Sequence, residues 1–130
     1  MLKVLIVEDD LLIADMMEEC LLANGFVVCG IATNIADSMT LAAKVRPDVA
    51  VVDVRLENGD LGTELGPKLK HLGPIGILYA TGNIDLVIGV AVGEGCLKKP
   101  YNLDILCSSV RYVDHLMGLR EAIPDGLTIL

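Results

Sequence analysis

The chain has 130 residues, 53% of them hydrophobic, and a formal net charge of −8 from 10 Lys+Arg against 18 Asp+Glu. That length favours one domain, and the apolar share suits a single core and excludes a disordered segment. The acidic balance disfavours direct nucleic-acid binding, which needs clustered cations, and no apolar run approaches the ~18 residues of a membrane span.

Met1-Leu2-Lys3 leads into a short apolar run that ends in acids, which does not read as a signal peptide. Cys20, Cys29, Cys96 and Cys107 have no CxxC spacing and sit in apolar settings. They read as reduced core thiols of a cytoplasmic protein.

Residues 3–7 (KVLIV) form a short apolar run that predicts a first buried strand. A helix is expected from about Asp10, with Ile13, Met16, Met17, Cys20 and Leu21 at helical spacing and Asn24-Gly25 as its end. Residues 26–32 predict a second strand, in which Gly30 marks an edge or a close approach. Asn34 caps a second helix with Asp37 in its first turn, and Leu41, Ala42 and Val45 are its buried side. Residues 48–53 (DVAVVD) are the third strand.

A polar loop with Gly59 precedes a third helix within 62–72, with Leu65, Leu69 and Leu72 inward. Gly66-Pro67 predicts a late start or a kink there, because proline lacks the backbone donor and crowds the preceding turn. Residues 75–80 are the fourth strand, followed by a turn at Thr81-Gly82-Asn83. A fourth helix is expected over 84–92, short or distorted because Val87, Ile88, Gly89, Val90 and Val92 are poor helix formers. Residues 96–98 are a fifth strand. Asn102 caps a fifth helix carrying Leu103, Leu106, Val110, Val113 and Met117, which ends at Gly118. A tail, 119–130, closes on the apolar Leu127, Ile129 and Leu130, as a packing segment or a linker.

Strands alternating with helices imply an α/β fold: a doubly wound, five-stranded parallel sheet with helices on both faces. Right-handed crossovers favour strand order 2-1-3-4-5, which puts the switch point between the first and third strands. Ligands bind outside the carboxyl ends of strands at such a point. Glu8 and Asp9 follow the first strand and Asp53 ends the third. Those acids would repel one another unless a hard cation relieves them, and oxygen donors suit magnesium. Lys99 after the fifth strand and Thr81 after the fourth add an ammonium and a hydroxyl. Together they make a site that neutralises a phosphoryl group, with Asp53 as the carboxylate nucleophile.

This pattern resembles the receiver domain of two-component response regulators, a flavodoxin-like fold. It runs through VLIVEDD (4–10), VVDVRL (51–56), ILYATG (77–82) and CLKKPY (96–101) and spans residues 1–118 as the domain. The ATG form is similar to that of a bacterial subgroup of stand-alone receivers. The resemblance implies that Asp53 accepts a phosphoryl group from a histidine kinase or histidine phosphotransfer protein. It implies Mg2+ held by Glu8, Asp9, Asp53 and the backbone carbonyl of Arg55. Thr81 would be the switch hydroxyl, Lys99 its phosphoryl-binding partner, and Lys99-Pro100 a cis peptide. Arg55 and Asn83 occupy positions that tune the lifetime of the phosphorylated state in the family. Output would run through protein contacts of the fourth-helix, fifth-strand, fifth-helix face, with a homodimer among the partners it allows. The implied role is a phosphoacceptor and not an enzyme, beyond autophosphorylation and autodephosphorylation.

Two departures stand out. Cys96 occupies the place of the family's aromatic switch residue, leaving Tyr79 and Tyr101 as the aromatics that could couple to Thr81. The loop after Asp53 holds one extra residue before Gly62. Three other readings compete. A nucleotide-binding domain would place glycines after the first strand, where Glu8-Asp9-Asp10 stands instead. A haloacid-dehalogenase-type phosphatase would need an acid where Arg55 stands. A binding-only receiver-like adaptor would have lost the acids, acceptor, threonine or lysine, and all are present.

Overall fold

The computed structural model of the chain describes residues 1–121. Five parallel strands, β1 (Lys3–Val7), β2 (Val27–Ala32), β3 (Val49–Asp53), β4 (Gly76–Thr81) and β5 (Gly95–Lys98), form one sheet in the order β2-β1-β3-β4-β5. Among the described residues four α-helices flank it: α1 (Leu11–Ala23), α2 (Ile35–Val45), α3 (Gly62–Leu72) and α4 (Leu103–Glu121). The doubly wound architecture is therefore the expected one, with one helix fewer.

The strands are apolar at nearly every position because both faces of the sheet are covered. Side chains alternate strictly. Val4, Ile6, Val49, Val51 and Leu78 pack under α1 and α4, around Met17, Leu21, Leu106 and Val110. Leu5, Val7, Ala50, Val52, Ile77 and Tyr79 pack under α2 and α3, around Ala42, Leu65 and Leu69. Ile13 and Met16, expected inside, are instead 40% and 51% exposed; Ala14, Met17 and Leu21 form the buried stripe.

Local caps fall where the polar residues stand. Asp10 accepts from the amides of Leu12 and Ile13 at the start of α1, Asn34 from Asp37 at α2, and Asn102 from Asp104 and Ile105 at α4. Gly25 takes φ +86° directly after α1, a conformation that disfavours a side chain. Gly30 lies in edge strand β2, and a Cβ there would run into the Leu41 side chain of α2.

Three further expectations fail. The fourth helix does not form: residues 84–92 hold one 3-10 turn, Ile84–Leu86, and then irregular turns. β-Branched side chains lose rotamer freedom in a helix, and Gly89 sits at φ +77°. The far end of the segment is also held elsewhere. The Tyr79 hydroxyl donates to Val92 O at 2.6 Å, and the buried side chain of Glu94 accepts from Ile77 N at 2.8 Å and from Lys70 Nζ at 2.7 Å.

Next, α3 starts on time at Gly62 and runs through Pro67. Burial of Leu65 and Leu69 offsets the lost hydrogen bond, a cost of about 3 kcal/mol. Last, α4 continues past Gly118 to Glu121. Of the expected tail, residues 119–121 extend this helix, and 122–130, with Leu127, Ile129 and Leu130, lie outside the described residues.

Gly62 ties α3 to the end of β3. Its amide donates to Val54 O at 2.7 Å, and a Cβ there would collide with the backbone oxygen of Asp53. Gly62→Ala should therefore lower unfolding stability by roughly 1–3 kcal/mol, read by urea denaturation. A loss below about 0.5 kcal/mol, the usual range of a neutral surface change, would show that the backbone gives way freely.

Candidate functional site

Four strands deliver the site. β1 ends at Val7, so Glu8 and Asp9 emerge at the carboxyl edge beside Asp53, the last residue of β3. One carboxylate oxygen from each of Glu8, Asp9 and Asp53 lies within 4.8 Å of the others. They differ in setting: Glu8 is buried, Asp53 half-buried and Asp9 exposed. Lys99, just after β5, reaches back over the sheet. Its Nζ stands 3.1 Å from Asp53 Oδ1 and 3.6 Å from Glu8 Oε1. Its backbone amide donates to Thr81 O at 2.8 Å, and the Lys99–Pro100 peptide bond is cis.

Thr81 is buried at the end of β4. Its hydroxyl donates to Asn83 O at 3.2 Å and accepts from Asn83 N at 3.1 Å, so it closes its own turn and is not bonded to Asp53. Arg55, Asn83 and Leu86 join Asp9, Asp53, Thr81 and Lys99 around a cleft of about 470 Å³. Arg55 and Asn83 are exposed there. The Arg55 main chain is fixed by pairing with Leu61, and Asn58 and Gly59 turn the loop at φ 60° and 79°. The same loop is held to the start of α2 where Asp60 accepts from Ile35 N at 2.9 Å.

Leu86 gives no signal in the sequence, because a leucine within a predicted helix reads as core. It lines the cleft because that helix is missing. The two aromatics divide between the two faces of the sheet. Tyr79 is core, 1% exposed, and is pushed up to about 12 chiefly by burial. Tyr101 packs on the α1 and α4 side and is pushed up to about 12, first by burial and then by the charges of Glu8 and Asp53. Cys96 stands beside Tyr79 and leaves a cleft of about 230 Å³ over β5, lined also by Val87 and Ile88.

The electrostatics centre on Glu8. Burial, then a hydrogen bond and the like charge of Asp53, push its carboxyl up to about 8, against the opposing pull of Lys99. Its Oε2 is buried with no hydrogen-bond partner among the described residues. An orphaned carboxylate oxygen beside two more acids is the donor set of a hard divalent cation, so the residues fit Mg2+.

A parallel 2-1-3-4-5 sheet with acids and a lysine gathered at its switch point is the architecture of signal receiver domains. The chain belongs to the response regulator receiver domain family, whose description matches residues 4–111. It is 34% identical over 121 residues to the uncharacterized transcriptional regulatory protein YbdJ of Bacillus subtilis, covering 89% of this chain and 52% of that one. It is 30% identical over 129 residues to the response regulator MprA of Mycobacterium leprae, covering 95% of this chain and 54% of that one. The chain thus spans about half the length of these curated relatives. A two-component response regulator from Clostridium difficile superposes with a TM-score of 0.81 at 26% identity, over 90% of this chain and 98% of that one. A CheY-like receiver from Methanospirillum hungatei, at 21% identity and TM-score 0.81, shares the fold.

Among the described residues no helix is long and apolar enough to cross a membrane.

Glu8 makes stability depend on pH in a defined direction. Between its ordinary value of 4.5 and about 8, the folded chain holds a proton that the unfolded chain has released. Stability therefore falls as pH rises through that window, by an amount on the order of a few kcal/mol. Thermal melts in a chelator from pH 5 to 8.5 should show this fall, and Glu8→Gln should flatten it. An unchanged slope in that variant would place the effect elsewhere.

Proposed function

We propose that this protein is a phosphoacceptor switch in which Asp53 takes a phosphoryl group from a histidine kinase or histidine phosphotransfer protein. The observation that carries the reading is Lys99 Nζ at 3.1 Å from Asp53 Oδ1, within a three-carboxylate cluster facing an open cleft. A carboxylate oxygen of Asp53 attacks phosphorus as the bond to the donor's imidazole nitrogen breaks, and the electron pair leaves with the imidazole. Lys99 then pairs with the added negative charge. Glu8, Asp9, Asp53 and the Arg55 carbonyl would hold Mg2+, which supplies charge neutralisation to the transfer. Thr81 gives up its turn with Asn83 by rotating about Cα–Cβ and donates to a phosphoryl oxygen. Arg55 and Asn83, at the rim of the cleft, set how easily water reaches the acyl phosphate.

The donor is protein-sized. Leu11, Leu12, Ile13 and Met16 expose an apolar face on α1, directly after Asp9 and Asp10, and such a patch beside a reactive centre supports a docking partner. Output passes through residues 84–98 and α4, the region that replaces the expected helical face. Leu86, Ile88, Val90 and Val92 are exposed there around the buried Val87, the segment forms no regular helix, and it is the part of the fold with a second arrangement open to it. The domain works as a signalling element and not as a catalyst on other substrates.

Incubation with acetyl phosphate and magnesium should add one phosphoryl group by intact mass, and Asp53→Asn should abolish it. Magnesium binding without an adduct on the unaltered chain would instead make it a binding-only adaptor. Hydrogen exchange over residues 83–101 should change on binding beryllofluoride; an unchanged pattern would remove this segment from the output.

A further inference from the structure

A pair of thiols outside the carboxylate site carries an inference of its own. Cys20 Sγ on α1 and Cys107 Sγ on α4 lie 3.5 Å apart, although 87 positions separate them in the chain. The two contact each other's helices as well. Cys20 Sγ is 3.6 Å from Leu103 O, and Cys107 Sγ is 3.9 Å from Cys20 O. Cys107 is buried at 2% exposure, whereas Cys20 is half-buried. The remaining thiols cannot compete, because Cys29 and Cys96 pack on the opposite face of the sheet. A disulfide needs its sulfurs about 2.0 Å apart, a distance reached here by side-chain rotation and a small approach of the helices.

We propose that Cys20 and Cys107 are a redox site that closes to a reversible disulfide under a hydroperoxide and latches α1 to α4. The Cys20 sulfur attacks one peroxide oxygen, the O–O bond breaks, and a sulfenic acid and water result. The Cys107 sulfur then displaces the sulfenic oxygen, which leaves as water with the Cys107 proton, and the S–S bond forms. Two thiols are oxidised by two electrons as one hydrogen peroxide is reduced to two waters. Burial pushes the Cys107 thiol up to about 11 and keeps it protonated, so the less buried Cys20 is the one that meets the oxidant, and Cys107 follows as the resolving thiol because its sulfur already lies 3.5 Å away.

The latch has a target. Met16 and Leu103 lie one helical turn before Cys20 and Cys107 and form opposite walls of an apolar groove of about 390 Å³ that also holds Lys99, Pro100 and Tyr101. A bond between the two sulfurs fixes the spacing of those walls, and so couples an oxidant to the face beside Lys99.

The test is hydrogen peroxide treatment of the purified chain, followed by maleimide labelling and non-reducing peptide mapping. The expected result is two labelled cysteines instead of four, a peptide pair joined through Cys20 and Cys107, and a Tm raised by more than about 5 °C, all reversed by dithiothreitol. Cys20→Ala and Cys107→Ser should each lose the cross-link, while a Cys29→Ala/Cys96→Ala variant should keep it. Oxidation that stops at a sulfinic acid on Cys20, a linkage through Cys29 or Cys96, or a cross-link absent from the Cys29→Ala/Cys96→Ala variant would overturn the proposal.

Discussion

The Lys99–Asp53–Glu8 contact is the interaction on which the rest of the site depends. Parallel strands β1 and β3 are neighbours, so the residues that follow them must emerge side by side. Here those residues are carboxylic acids. Bringing three of them within 4.8 Å costs free energy through repulsion and through the desolvation of Glu8. Lys99 offsets part of that cost, and a proton on Glu8 or a divalent cation offsets more. The site is stored electrostatic demand, which is why a divalent cation suits it.

The surrounding structure keeps that demand in place. Lys99 is positioned by its amide bond to Thr81 O, so the cation and the buried hydroxyl share one strand pair. The loop after Asp53 is pinned by Asp60 to the start of α2 and by Gly62 to Val54. By contrast, residues 84–92 form no regular helix; they are held by the Asn83 cap, by the buried Val87, and at the far end by Tyr79 and Glu94. The acids therefore sit among regular, tied elements, with an irregular segment beside them.

Cys96 belongs to the same picture. A small side chain beside Tyr79 leaves a cleft under the irregular segment, and the Tyr79 hydroxyl is already committed to Val92 O. Tyr101 is the aromatic that feels the charge of Glu8 and Asp53, but from the α1 and α4 side of the sheet. Coupling between Thr81 and an aromatic therefore has no direct route across β5.

Much of this molecule could be read from its sequence, because much of it is set by local rules. Apolar strands, caps at Asp10, Asn34 and Asn102, and the glycine after α1 depend on neighbours within a few positions. Crossover handedness then placed the strand ends, and with them Glu8, Asp9, Asp53, Thr81 and Lys99. What the sequence could not decide were contests between local preference and distant contacts. Helix α3 runs through Pro67 because Leu65 and Leu69 are buried against the sheet. Segment 84–92 stays irregular because Glu94 and Val92 are held by β4 and α3. The meeting of Cys20 and Cys107 depends on how α1 and α4 pack side by side over one face of the sheet. No pattern in a chain reports a contact made 87 positions away; only the packed structure brings those two sulfurs together.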